Sequence, residues 1–175
     1  MVAVGIILAE AAVIDGRHVA QSQSYGPEAR GGNSLSDVIL SDTEIDYPRT
    51  SELDILVALT QQACDQNLPD MKENGLLIVN SDLVRRVIWS KVVKLPFSRI
   101  TRMAGEQRAI NMVALGAVAA SCRLTSRRSL RRVITKRLPS SKVEANFLAF
   151  NEAFRIVHEM RGSLKQVETK DEFEI

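Results

Sequence analysis

Apolar positions along this chain follow three patterns in turn, and each predicts a different element. In MVAVGIILAEAAVIDG, Val4, Ile7, Leu8 and Ala11 recur at three- and four-residue steps, the spacing of one helix face, and Gly16 stands where a C-cap belongs. A buried amphipathic helix is expected there. RHVAQSQSY and SLSDVILSD read as strands, with SDTE as a turn before IDYP. LDILVAL (Leu53 to Leu59) and GLLIVN (Gly75 to Asn80) are short continuous apolar runs, the kind buried on both faces of a parallel sheet. A polar stretch from Thr60 to about Leu68 between them has helical character, so the three together predict a βαβ unit. KVVKLPF adds a further short strand.

From about Ser98 onward the pattern turns helical. ITRMAGEQRAINMVALGAVAAS is rich in alanine and glycine, which lets a helix sit close against a sheet or a second helix and marks it as central. Leu124 to Pro139 continues as a short basic helix with Leu130, Val133, Ile134 and Leu138 on its apolar side. Pro139 stops it, and SSKVE restarts the chain as a capping box, Ser141 with Glu144 three residues on. The last helix, to about Arg161, carries Phe147, Phe150, Phe154 and Val157 at helical steps, a stripe that reads as core packing rather than a cofactor surface. The expected fold is a three-layer α/β/α domain with a mixed or mostly parallel sheet and a mainly helical C-terminal half. Residues 1–165 form one domain and 166–175 an acidic C-terminal tail. A doubly wound domain opens on a strand, and here that first strand is missing: either the true start lies upstream or the fold compensates.

Composition narrows the class without naming it. With 175 residues, 45% of them hydrophobic and 25% charged, the chain reads as one soluble globular domain, and neither disorder nor a membrane span fits. The first apolar run has no basic residues before it and is interrupted by Glu10 and Asp15, so it is neither a signal peptide nor a span. A net charge of +2 does not call for a polyanion partner, but its distribution is uneven: Arg123 to Arg137 holds seven Lys/Arg and no acid, Glu168 to Glu174 four acids and one lysine. Cys64 and Cys122 are isolated, so this chain alone builds no zinc site or iron–sulfur cluster, and a reducing cytoplasm is the default compartment. His18 and His158 lack metal-ligand spacing, and Ser24 lacks a nucleophile-elbow frame.

Between the first two strands lies SQSYGPEARGG, far more than a hairpin turn needs. A loop that holds charged side chains on a backbone built for close approach faces something. GIILAEAAVIDG, QSQSYGPEARGG, SDVILSDTEIDYP, DILVAL and GEQRAINMVALGAVAA, in that order from Gly5 to about Ala120, resemble the gamma subunit of the 2-oxoacid:ferredoxin oxidoreductases. The form SYGPEARGG is more similar to the 2-oxoglutarate branch than to the pyruvate or indolepyruvate branches.

The resemblance implies a multi-subunit enzyme that decarboxylates a 2-oxoacid on thiamine diphosphate, passes electrons through iron–sulfur clusters to ferredoxin and releases an acyl-CoA. Thiamine diphosphate with its Mg2+, and the clusters, would belong to partner alpha, beta and ferredoxin-like subunits. The gamma chain would bind none of them and supply no catalytic base, but would help to cover the active site and form the coenzyme A side of the cleft. Family members open with a strand and a G-x-G-G-Q-G turn, and this sequence begins just after it. Against the phosphates of coenzyme A, Arg30 would supply a bidentate cation, and Gly31 and Gly32 open backbone amides. Glu28 could hold the arginine, Pro27 would stiffen the approach, and Tyr25 and Gly26 complete the loop. The same Glu28/Arg30 pair could instead latch the loop to another subunit. The Asn111 amide, set among Met112, Val113 and Leu115, must find partners in the substrate, the loop or neighbouring backbone. Glu106 and Arg108 read as interface or helix-start residues. Two other classes stand beside this one. A nucleic-acid or adaptor module could use Arg127, Arg128, Arg131, Arg132, Lys136 and Arg137, though the run has no aromatic interleaving and nucleic acid is the weaker partner. A free-standing coenzyme A or nucleotide-binding protein could keep the same fold.

Overall fold

A computed structural model describes residues 1–25, 34–47, 52–122 and 125–171, and the side chains of all of these except 25 and 161–171. Helix α1 (Val2–Ile14) buries Val4, Ile7, Leu8, Ala11 and Ala12. It is apolar nearly all round rather than amphipathic: Val2 and Ile6 are only half-buried, and Ala3 and Val13 are exposed. Gly16, at φ 81°, closes the helix, and the Gly16 and Arg17 N–H groups donate to the Val13 and Ala12 carbonyls. The chain then returns along α1 as an antiparallel hairpin, β1 (His18–Tyr25) paired with β2 (Ser34–Ser41), His18 opposite Ser41 and Tyr25 opposite Ser34. The hairpin is a sheet of its own.

The βαβ unit forms as its apolar runs predict. Strand β3 (Leu53–Ala58) crosses through α2 (Gln61–Asn67) to β4 (Met71–Asn80), and β5 (Val92–Leu95) adds in parallel on the far side of β4. Thr60 caps α2 by accepting from the Ala63 N–H. β4 starts four residues before Gly75, at Met71, because Met71 pairs with Leu53 across a register shift; a Cβ on Gly75 would stand 2.9 Å from the Leu53 carbonyl oxygen. Both faces of this sheet are covered. Leu56, Ala58, Leu77 and Val79 face α2 and the Cys64 side, while Ile55, Val57 and Ile78 face the helical core.

The helical half departs from a single run after Ser98. α3 (Phe97–Met103) and α4 (Ile110–Ser121) are separate helices. Gly105, at φ 74°, ends the first, with the Gly105 and Glu106 N–H groups donating to the Arg102 and Thr101 carbonyls. α5 (Arg127–Arg137) is capped by Ser126, and α6 (Ser140–Asp171) extends past Arg161 into the segment expected as a tail. The capping box does not form. α6 begins at Ser140, so Ser141 lies within its first turn, and the N-cap position falls to Pro139, whose carbonyl accepts from the Lys142 N–H but which has no polar side chain to cap with. At the crossing of α4 and α6 a Cβ on Gly116 would strike the Phe150 carbonyl oxygen. The phenylalanine stripe divides: Phe150 and Val157 are core, with Ala149 and Ala153, whereas Phe147 and Phe154 are half-buried.

Candidate functional site

The direction of the hairpin along α1 locates the opening loop. Ser36 and Val38 lie against Gly5, near the first turn of α1, and Arg17 beyond its last turn bonds Asp42 at 2.7 Å. The loop end of the hairpin therefore sits at the N-terminal end of α1. Residues Gly26, Glu28, Arg30, Gly31 and Gly32 lie outside the described residues, and of Tyr25 only the backbone pairing with Ser34 is described.

At that same end of α1, on the flank of the helix turned away from Gly5, a cavity of about 550 Å³ opens between α1, α4 and the turn joining α5 to α6. Its apolar wall is Val2, Ala3 and Ile6; its polar wall includes Asn111, Arg108, Lys142 and Asn146. Val2, Ala3 and Ile6, the excess apolar surface at the start of α1, thus line this cavity. Asn111, half-buried on the first turn of α4, has no hydrogen-bond partner among the described residues. The Arg108 guanidinium makes no hydrogen bond or ion pair among them either and acts only through its field on Glu106. Both groups keep their donors unspent.

The rest of the polar wall is internally satisfied. Glu106 accepts from the Arg108 backbone N–H at 3.1 Å and pairs with Lys142 at 3.3 Å, and these two contacts, the backbone one foremost, hold its carboxyl below the ordinary range. Glu106 lies in the turn that leads into α4, where the Ala109 N–H donates to its carbonyl. Arg137 grips Glu10 with two N–H groups, Nε to Oε2 at 2.9 Å and Nη2 to Oε1, which lowers the Glu10 carboxyl and raises the guanidinium. Asn146, buried, donates to the Lys142 carbonyl at 2.8 Å. Lys142 and Asn146 are missed by sequence reasoning, and Arg137 is expected only as part of the basic face of its helix. Only Asn146 leaves a trace, as an amide in the i, i+3/i+4 series that continues through Ala149, Phe150 and Ala153.

The other candidates lie elsewhere. His158 is exposed and stacks on Phe154 at 5.9 Å; His18 opens β1 at the surface. Cys64 is buried, which pushes its thiol up, and the Cys122 thiol donates to the Val118 carbonyl. Among the described residues no group of three His, Cys, Asp or Glu side chains could hold a metal, and no helix is long and apolar enough to cross a membrane.

Comparison with known proteins meets this geometry. Residues 1–156 match the model of the pyruvate ferredoxin/flavodoxin oxidoreductase family. This chain belongs to that family. Within it, the chain is 39% identical over 165 residues to the 2-oxoglutarate synthase subunit KorC of Methanocaldococcus jannaschii, covering 89% of this chain and 87% of the relative. The KorC subunit of Methanothermobacter thermautotrophicus is likewise 39% identical, over 91% of this chain and 88% of its own length. Among solved structures, the gamma subunit of a keto/oxoacid ferredoxin oxidoreductase from Geobacter sulfurreducens superposes with a TM-score of 0.76 at 37% identity, over 89% of this chain and 90% of that one. The 2-oxoglutarate:ferredoxin oxidoreductase of Magnetococcus marinus, solved with 2-oxoglutarate, coenzyme A and succinyl-CoA bound, shares the fold, with a TM-score of 0.80 over 91% of this chain and 29% of that one at 21% identity. The resemblance to gamma subunits drawn from the loop and the NMVALGAVAA helix holds. This gamma-type chain is a subunit of an oxidoreductase complex, outside the catalytic centre.

Proposed function

We propose that this chain is the gamma subunit of an enzyme that converts 2-oxoglutarate, coenzyme A and oxidised ferredoxin to succinyl-CoA, CO2 and reduced ferredoxin. The substrate follows from its relatives: those named as 2-oxoglutarate synthase subunits are 37–39% identical to it, whereas the common gamma subunits of pyruvate/ketoisovalerate oxidoreductases are 28% identical. Its role is to close the coenzyme A side of the cleft. The observation that carries this role is the cavity at the N-terminal end of α1, where Asn111 and Arg108 present unspent donors at the same end of the helix as the loop end of the hairpin, which bears the Tyr25-to-Gly32 loop.

In this reading Arg30 binds a phosphate of coenzyme A through its planar fork, the Gly31 and Gly32 amides approach the same group without side chains in the way, and Glu28 orients the arginine. Asn111 holds the ligand or the loop from behind. The apolar wall of Val2, Ala3 and Ile6 excludes water from a flexible organic arm. Cys64 and Cys122, single and remote from any carboxylate or histidine cluster among the described residues, do not fit an iron–sulfur cluster, and no metal-binding group stands there for a thiamine diphosphate Mg2+. Those cofactors fall to the alpha, beta and ferredoxin-like subunits, with ferredoxin as acceptor, and the assembly is cytoplasmic.

The test uses the assembled complex, purified anaerobically on a tag on this chain. Coenzyme A-dependent dye reduction is expected with 2-oxoglutarate in preference to pyruvate. Loss of a charge-assisted hydrogen bond is worth about 1.5–3 kcal/mol, so Arg30→Ala should raise KM for coenzyme A roughly 10- to 100-fold while leaving KM for the 2-oxoacid nearly unchanged. An unaltered coenzyme A dependence in an intact complex would remove the loop from the site.

A further inference from the structure

The outer face of α5 has a second feature that the coenzyme A role does not use. Arg127, Arg128, Arg131, Arg132 and Lys136 are exposed there, above a buried side of Ser129, Leu130, Val133 and Ile134. Arg137 is committed to Glu10, and Lys136 lies within its field. Arg128, Arg131 and Arg132 have no carboxylate partner among the described residues. A basic helix of this kind is ordinarily a solvated face with every side chain free. Here two arginines one turn apart are held in place, and not by acids: the Arg127 guanidinium lies 4.4 Å over the Phe154 ring, and that of Arg131 lies 5.5 Å over the Phe147 ring. Arg127 also donates to Asn151 at 2.8 Å. A guanidinium stacked on an aromatic face keeps most of its edge donors and has already lost the rotamer freedom that binding would otherwise cost.

Beside these two arginines a groove of about 780 Å³ runs between α5 and the start of α6, with Val143, Phe147 and Phe150 on its apolar side and Glu144 on its lining. Ordered arginines around a half-buried aromatic ring have the composition of a binding hot spot. We propose that this groove docks an acidic segment of a neighbouring subunit, two of whose carboxylates take the edges of Arg127 and Arg131 while an apolar side chain fills the space over Phe147. A nucleic-acid backbone fits less well: a phosphate track needs a continuous run of cations, and farther along α6 Glu152 and Glu159 flank Arg155. The inference rests on the chain being one subunit of a complex, and is independent of where coenzyme A binds.

The experiment is co-purification of the whole complex on a tag on this chain, at rising salt, with two charge reversals: Arg127→Glu with Arg131→Glu, and Arg128→Glu with Arg132→Glu. The second pair makes no aromatic contact, so it decides the matter if the first disturbs α5. The expected result is that at least one partner subunit is retained about tenfold less than with the natural chain at physiological salt, and that salt weakens the natural assembly in the same way. Circular dichroism and melting temperature of the Arg128/Arg132 variant should match the natural chain. Full retention of every subunit by both variants would overturn the proposal. So would intact assembly accompanied by a raised KM for coenzyme A, which would give the groove to that ligand, or by loss of a salt-sensitive affinity for heparin or single-stranded DNA, which would give it to nucleic acid.

Discussion

Asp15 ties the end of α1 to the start of α5 through three hydrogen bonds, from the Ser126 N–H at 2.5 Å, Ser126 Oγ at 2.9 Å and Ser129 Oγ at 2.5 Å. Partial desolvation pushes its carboxyl up, but the hydrogen bonds from Ser129 and Ser126 together outweigh that and leave it below the ordinary value. A carboxyl depressed in the folded state contributes stability that is fully present above its unfolded pKa and is lost as pH falls through the folded one. Asp15→Asn should cost about 1–2 kcal/mol at pH 7, and the difference between the two proteins should shrink in acid. Urea midpoints measured from neutral pH downward check this; parallel pH profiles would mean the carboxylate is idle. The Glu10 and Arg137 pair, with both side chains about 40% exposed, should by contrast contribute only about 0–1 kcal/mol. Neither tie is legible in the sequence, because its partners stand 111 and 127 residues apart and each looks locally like an ordinary surface residue. The loop of glycines, Pro27 and Arg30 is legible for the opposite reason: its density of special residues is a local property.

At the scale of elements, α4 meets α6 where Gly116 has no side chain. Alanine there would gain helix propensity of about 1 kcal/mol, yet its Cβ would strike a backbone carbonyl that cannot swing aside. The clash wins, at roughly 1–3 kcal/mol for an overpacked core. Gly116→Ala is therefore expected to lower the melting temperature by several degrees in differential scanning calorimetry, and an unchanged or higher value would show that the helices can part at no cost. The βαβ unit and the helix order follow from apolar period and turn residues, which act over short windows. The break between α3 and α4 does not, because alanines on both sides of Gly105 continue the helical composition through it. Ser141 misled in the same way. Its pattern with Glu144 is a genuine start signal, but the short connection from α5 moves the helix start ahead of it.

Taken whole, the molecule sets two concave surfaces on one framework: the cavity at the N-terminal end of α1, and the arginine groove of α5 and α6. α4 runs through the middle, with Met112 to Val118 buried without a break. α1, α3 and α6 pack around it, whereas the β1–β2 hairpin is a sheet of only two strands that lies against α1. That arrangement sets an order of opening. Backbone amides of α4 should exchange with deuterium only when the whole chain unfolds, and those of the hairpin through local excursions orders of magnitude more often. Hydrogen–deuterium exchange read by mass spectrometry tests this, and equal rates in the two segments would contradict it. The hairpin carries the Tyr25-to-Gly32 loop, so if coenzyme A is gripped by Arg30 as proposed, it should be felt first as slower exchange in those strands, while α4 keeps time unchanged.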